Sequence, residues 1–231
     1  MERQMKVAPD PGLERLLGEI REDVGATAGY TGRAELAERV IAAVRAVPRH
    51  AFVPDELQPA AYSNVPLPIG HGQTISQPYI VALMTDLIQP QADDVVLEVG
   101  TGSGYQAAVL ALLVKQVYSL EIVEKLADEA RQRLLRLGYD NVEVRVGNGC
   151  FGWGEHAPYD AVIVTAGAPQ IPAALVEQLK PGGRLVMPVG DQYFGQELCL
   201  LEKHQNGRLE QRCVLPVRFV PLTETAQCSW V

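Results

Sequence analysis

Glycines at positions 100, 102 and 104 alternate with Thr101 and Ser103 directly after the apolar run Val95-Val96-Leu97-Glu98-Val99. Glycine permits positive φ and lets a ligand approach the backbone closely, so a strand running into this turn and on into a helix is the arrangement a nucleotide site requires. The turn does not name its ligand, because Gly102-Ser103-Gly104-Tyr105-Gln106-Ala107 also satisfies the G-x-G-x-x-A form of dinucleotide sites. Two acids frame it. Glu98 stands two residues before the first glycine, and Glu121 ends the next strand 17 residues after Gly104, where a carboxylate would accept hydrogen bonds from both hydroxyls of a ribose. Upstream, Ser76 precedes Gln77-Pro78 and an apolar helical run, which makes it a candidate N-cap.

The elements that must position these groups follow from hydrophobic period. Residues 13–22 and 33–47 show helical spacing, the second stopping at Pro48, with 25–32 between them read as a flexible small-residue turn. Prolines and glycines punctuate an aperiodic stretch from Arg49 to Gln77, and long ordered loops of this kind are more often functional than idle. A helix follows Pro78. Strands are then predicted at 95–99, 116–121, 142–146, 160–165 and 184–189, alternating with helices near 104–113, 123–137 and 170–179. Asn206-Gly207 between Glu197–Lys203 and Arg208–Val214 predicts a hairpin, so the last strands are antiparallel. The expected architecture is an α/β, doubly wound, Rossmann-like sheet, mostly parallel with antiparallel C-terminal strands, plus an N-terminal helical and loop appendage.

Bulk properties bound the function. The 231 residues, 47% of them hydrophobic, suffice for one generous domain. A net charge of -8 argues against general affinity for nucleic-acid phosphates and does not oppose a cationic ligand. Cys150, Cys199, Cys213 and Cys228 form no C-x-x-C pair and no zinc-ligand spacing, so no metal is expected. Residues 1–10 lack the apolar run of a signal peptide, and no stretch of about 18 apolar residues would span a membrane. The expectation is a cytoplasmic protein with free thiols. Quaternary state is not disclosed.

With Glu98, the glycine turn reads E-x-G-x-G-x-G, which resembles the first motif of class I S-adenosylmethionine-dependent methyltransferases; Leu179-Lys180-Pro181-Gly182-Gly183-Arg184-Leu185 resembles the turn before their fifth strand, although turn chemistry alone would also explain its glycines. The block Ala61-Tyr62-Ser63-Asn64-Val65-Pro66-Leu67-Pro68-Ile69-Gly70-His71-Gly72-Gln73-Thr74-Ile75-Ser76-Gln77-Pro78 is more specific. It resembles the signature of the protein-L-isoaspartate O-methyltransferase family. Val47-Pro48-Arg49, Phe52-Val53-Pro54, Leu137-Gly138-Tyr139, Ala157-Pro158-Tyr159-Asp160-Ala161, Pro188-Val189-Gly190 and Phe219-Val220-Pro221-Leu222-Thr223 continue the likeness in family order, from about residue 33 to 223.

The resemblance implies methyl transfer from S-adenosylmethionine, leaving S-adenosylhomocysteine, to the α-carboxylate of L-isoaspartyl residues in damaged peptides and proteins. The ester then collapses to a succinimide, which begins repair. A carboxylate is already ionised at neutral pH, so no general base or catalytic triad is expected. The resemblance makes Ser76 the active-site residue and assigns the cofactor to Ile69, Gly70, His71, Gly72 and Thr74, to Glu98 at its methionine end, to Gly100, Thr101, Gly102, Ser103 and Gly104, to Glu121 at the ribose, to Asn148 and Gly149 at the adenine, and to Thr223. His71 reads as an exposed loop residue rather than a base, since unlike residues fill that family position.

On this reading a single domain, 1–231, comprises N-terminal helices (1–50), a substrate loop and helix (51–90) and a cofactor-binding core (91–231). Val217 to Thr223 is either an edge that binds extended substrate or an ordinary core strand. Two departures stand out. Gly147-Asn148-Gly149 replaces the usual G-D-G, which predicts weakened cofactor binding, and Asn64 replaces a common aspartate. The competing functions are a nicotinamide oxidoreductase, a noncatalytic binding module, and a methyltransferase for a small molecule or another protein carboxylate.

Overall fold

The computed structural model describes residues 10–191, 194–223 and 228–231, so the expectation for the first nine residues lies outside the described ones. Helices α1 (Pro11–Thr31) and α2 (Glu38–Ala46) open the chain, followed by two short 3₁₀ turns, strands β1 (Leu67–Gly70) and β2 (Gln73–Ile75), and α3 (Pro78–Leu87). The core then runs β3 (Val95–Val99), α4 (Tyr105–Ala111), β4 (Gln116–Glu121), α5 (Glu124–Arg136), β5 (Val142–Val146), β6 (Tyr159–Val164), α6 (Ala173–Glu177), β7 (Leu179–Asp191), β8 (Gly195–Lys203) and β9 (Leu209–Val217).

Seven strands form one sheet in the order β5-β4-β3-β6-β7-β8-β9. The first five in that order pair parallel, while β8 and β9 add as antiparallel strands. Strand order reverses beside β3, and in such sheets the crevice beyond the carboxyl ends at that point is where ligands bind. Successive residues of β3 and β6 point to opposite faces, so Val96 and Ile163 join the apolar cluster under α1–α4 while Leu97 and Val162 join the cluster on the far face with Leu175 and Leu185. The Asn206-Gly207 turn closes the last hairpin as expected: Gly207 has φ 82° and Asn206 Oδ1 accepts from Arg208 N at 3.0 Å.

Three expectations are corrected. Residues 25–32 are not a flexible turn. Asp10 caps α1 by accepting from Gly12 N at 2.8 Å, Pro11 occupies the first turn, and the helix continues to Thr31 before Gly32 ends it at φ 68°. Gly25 and Gly29 lie on its exposed face, while buried Val24 and Thr31, and Thr27 against Tyr79, hold the other face down; packing overrides the low helix propensity of glycine. The aperiodic stretch likewise hides the β1–β2 hairpin, too short for a period-2 signal. Finally, no described cysteine is free: Cys150 pairs with Cys228 and Cys199 with Cys213 across β8 and β9. The pairing joins residues 78 and 14 apart in sequence, which no local spacing pattern announces.

The Lys180-Pro181-Gly182-Gly183 stretch is accounted for by turn chemistry. Tyr159 pairs with Leu179 and Ala161 with Arg184, so residues 180–183 bulge out of β7. Lys180 Nζ lies 2.7 Å from Asp160 Oδ2, which also accepts from Val95 N at the start of β3, the end of the sheet away from the glycine turn.

Candidate active site

The glycine turn uses its own donors. Gly100 N and Thr101 N donate to Leu120 O at 2.8 and 3.1 Å, Gly104 N to Thr101 O at 2.8 Å, and Gly102 N to Glu121 Oε2 at 2.7 Å. A dinucleotide turn instead offers such amides to a pyrophosphate. All three glycines have positive φ, and a side chain at Gly100 would run into Thr165 Oγ1. Glu121 Oε1 accepts from Val123 N at 3.0 Å, and because each carboxylate oxygen has two acceptor positions, the group can still receive two ribose hydroxyls.

Around this acid lies a narrow slot open to solvent. Of the residues expected to hold a cofactor, Thr74, Gly100, Gly102, Glu121, Gly149 and Thr223 line it. Thr101 and Ser103 line a smaller space next door, shared with Thr74, Ser76 and Thr165. The slot's apolar walls, Val99, Leu120, Ile122 and Leu222, carry no sequence signal that separates them from ordinary core residues. A deep carboxylate between apolar walls fits a nucleoside.

Other expected contacts are not brought to the slot. Glu98 is 0% exposed. Its carboxylate accepts from Ser119 Oγ, which in turn lies 2.6 Å from Thr101 Oγ1, so the acid braces the turn from within. Burial, reinforced by the charge of Glu121, pushes its pKa up to about 8. Gly70, His71 and Gly72 form the exposed tip of the β1–β2 hairpin, with φ of 89°, 52° and 71°, and line none of the cavities described; Ile69 faces a separate hollow with Phe52 and Arg133. Asn148 Oδ1 accepts from Cys150 N at 2.9 Å and caps a 3₁₀ turn, while its neighbours Gly147 and Gly149 line the slot.

A second, larger cleft adjoins the slot, and Thr74, Thr165 and Val220 line both. Ser76 lies in this cleft and in the seam beneath the glycine turn. Helix capping does not claim its side chain. Gln77 is the N-cap of α3 and makes no side-chain cap bond; Asn64 Oδ1, reaching from the loop, accepts from Tyr79 N at 3.0 Å instead. The Ser76 main chain is held by Arg49, whose Nη1 donates to Ser76 O at 2.8 Å while Nε and Nη2 donate to Ala61 O and Val65 O at 2.8 and 3.1 Å. Arg49 is fully buried over the Tyr105 ring, and burial lowers its pKa to about 10, so it remains charged at neutral pH. Sequence reasoning placed Arg49 in a family block without a role; a buried arginine is visible only once the loop closes around it.

The far wall of the cleft is Leu215 to Val220. These residues end β9, the edge strand, and then leave the sheet: Phe219 N donates to Gln196 Oε1 at 2.7 Å, Gly167 N to Val220 O at 2.8 Å and Leu222 N to Gly167 O at 2.7 Å. Val217, Phe219 and Leu222 are only partly buried, so this is no core strand.

Residues 30–227 match the family described as protein-L-isoaspartate(D-aspartate) O-methyltransferase. The chain belongs to that family. Protein-L-isoaspartate O-methyltransferase 2 of Polaromonas sp. is 59% identical over 208 residues, which are 90% of this chain and 99% of the relative. A solved protein-L-isoaspartate O-methyltransferase superposes with a TM-score of 0.76 at 28% identity, covering 90% of this chain and 65% of that longer one. A putative protein-L-isoaspartate O-methyltransferase from Plasmodium falciparum, solved in complex with S-adenosyl-L-homocysteine, superposes with a TM-score of 0.77 at 25% identity, over 93% of this chain and all of that one. The expected fold is thus met in the mostly parallel sheet, in the antiparallel final strands and in its solved relatives. No described helix is long and apolar enough to cross a membrane.

Proposed function

We infer that this chain is an S-adenosylmethionine-dependent protein carboxyl O-methyltransferase that methylates the α-carboxylate of L-isoaspartyl residues and so initiates their repair. The observation that carries the reading is the shared wall of Thr74, Thr165 and Val220, which sets the slot beside Glu121 against a larger open cleft with Ser76 at the seam. Bound S-adenosylmethionine supplies an electrophilic methyl group on a sulfonium that departs as a neutral thioether. The protein's part is placement and exclusion of water from an already ionised nucleophile.

Glu121 holds the ribose, Gly147 and Gly149 admit the adenine, and the glycine turn with Thr74 and Thr223 bounds the rest of the slot. Ser76 donates to one oxygen of the substrate carboxylate and leaves the other to attack; a hydroxyl orients the group without neutralising it as a lysine would. The segment Leu215 to Val220 receives the substrate's extended backbone, a mode that reads damage rather than sequence. The whole chain works as one domain, in the cytoplasm. Paired peptides differing only in L-isoaspartate against L-aspartate, incubated with methyl-labelled S-adenosylmethionine, test the assignment. Label is expected in the isoaspartyl peptide alone, and equal labelling would overturn it.

A further inference from the structure

Helix α1 lies almost wholly before the residues matched to the family, yet it forms a wall of the Ser76 cleft through Asp23 and Thr27. Both are fastened to α3, the helix that Ser76 leads into. Thr27 Oγ1 lies 2.5 Å from Tyr79 Oη, and Asn64 Nδ2 donates to Asp23 Oδ2 at 2.8 Å while Asn64 Oδ1 accepts from Tyr79 N. Asn64 therefore fixes the direction of the Asp23 carboxylate relative to the start of α3. A second acid at position 64 would stand against Asp23 at hydrogen-bond distance, and the neutral amide avoids that repulsion. The carboxylate is half-buried in the cleft, and no basic side chain among the described residues forms an ion pair with it. Arg218, the basic residue of the cleft, belongs to the exposed segment after β9.

A half-buried carboxylate that one neutral amide orients keeps acceptor positions for a cation arriving with the substrate. We propose that Asp23 is a specificity-determining subsite, which receives a lysine or arginine side chain flanking the isoaspartyl residue. The proposal rests on the cleft being the isoaspartyl site. It gives α1 a function beyond packing: the helix adds a charge preference to an enzyme whose other contacts read backbone and carboxylate.

The test uses isoaspartyl peptides identical except for lysine or norleucine at the residue before or after the isoaspartate, compared by kcat/KM at low and high salt. At least one lysine peptide is expected to exceed its norleucine twin about two- to five-fold at low salt, the range of a partly exposed ion pair, with the advantage shrinking as salt rises. Asp23→Asn keeps an acceptor for Asn64 and is expected to bring that ratio to one; Asp23→Lys is expected to invert it. The ratio is the readout, so a change in overall rate does not obscure it. No lysine preference in the wild-type enzyme, or one that persists in Asp23→Asn, would overturn the subsite. Failure of every isoaspartyl peptide to be methylated would instead overturn the reading of the cleft, and the subsite with it.

Discussion

Ser76 is held by its carbonyl and not by its hydroxyl: Arg49 grips the main chain, Asn64 caps the helix, and no hydrogen bond among the described residues engages Oγ. Ser76→Ala should therefore leave folding almost untouched, within about 0.5 kcal/mol by urea unfolding, as for a residue outside any stabilising contact. It should lower kcat/KM for an isoaspartyl peptide by about 10- to 100-fold, the loss of one hydrogen bond to a charged group. Glu98 behaves in the opposite way. Its folded pKa, about 8, lies above its ordinary 4.5, so its contribution to stability is fully present below about pH 4.5 and is lost as pH rises toward 8, where the fold must accept a buried charge. Glu98→Gln, which carries no charge at any pH, should flatten the pH dependence of the unfolding free energy over that window. An unchanged slope would mean that Glu98 is ionised in its buried site.

At the scale of elements, α1 departs most from what local sequence suggests. Its exposed Gly25 and Gly29 have open space where a Cβ would stand, and both lie inside the helix with ordinary φ. Gly25→Ala and Gly29→Ala should each stabilise the protein by about 0.5–1 kcal/mol, measured as a higher urea midpoint at unchanged m-value. The short hairpin β1–β2 and the 3₁₀ turns before it were hidden for a different reason. They are too short to show periodicity and are ordered by Arg49, which binds carbonyls 12, 16 and 27 residues ahead of it in sequence. The central strands of the parallel core were legible as buried apolar runs, and β5, which buries only Val144, as an alternating one; β3, β4 and β5 coincide with their predicted bounds.

For the molecule as a whole, the two cystines alter the balance between chain entropy and packing. Cys199–Cys213 closes a 14-residue loop over a hairpin that backbone hydrogen bonds already hold, and Cys150–Cys228 ties the C-terminal segment to the turn that follows Gly149. Reduction should lower the unfolding free energy by about 2–4 kcal/mol per bridge, read from urea curves with and without reductant. It should leave isoaspartyl methylation measurable below the transition, because no cysteine lines the slot or the cleft. That outcome would also reconcile the disulfides with a reducing compartment.

By itself the sequence determined the doubly wound sheet, the nucleotide turn with Glu121 beyond it, and the family, since these rest on local period, glycine spacing and a contiguous block of residues. Tertiary structure alone decided which way those residues turn. Glu98 is turned inward onto Ser119, His71 outward to solvent, and Asn64 across to Asp23 of a helix 41 residues earlier. Direction, burial and partnership at long separation depend on how elements close upon one another, and no spacing along a chain records that.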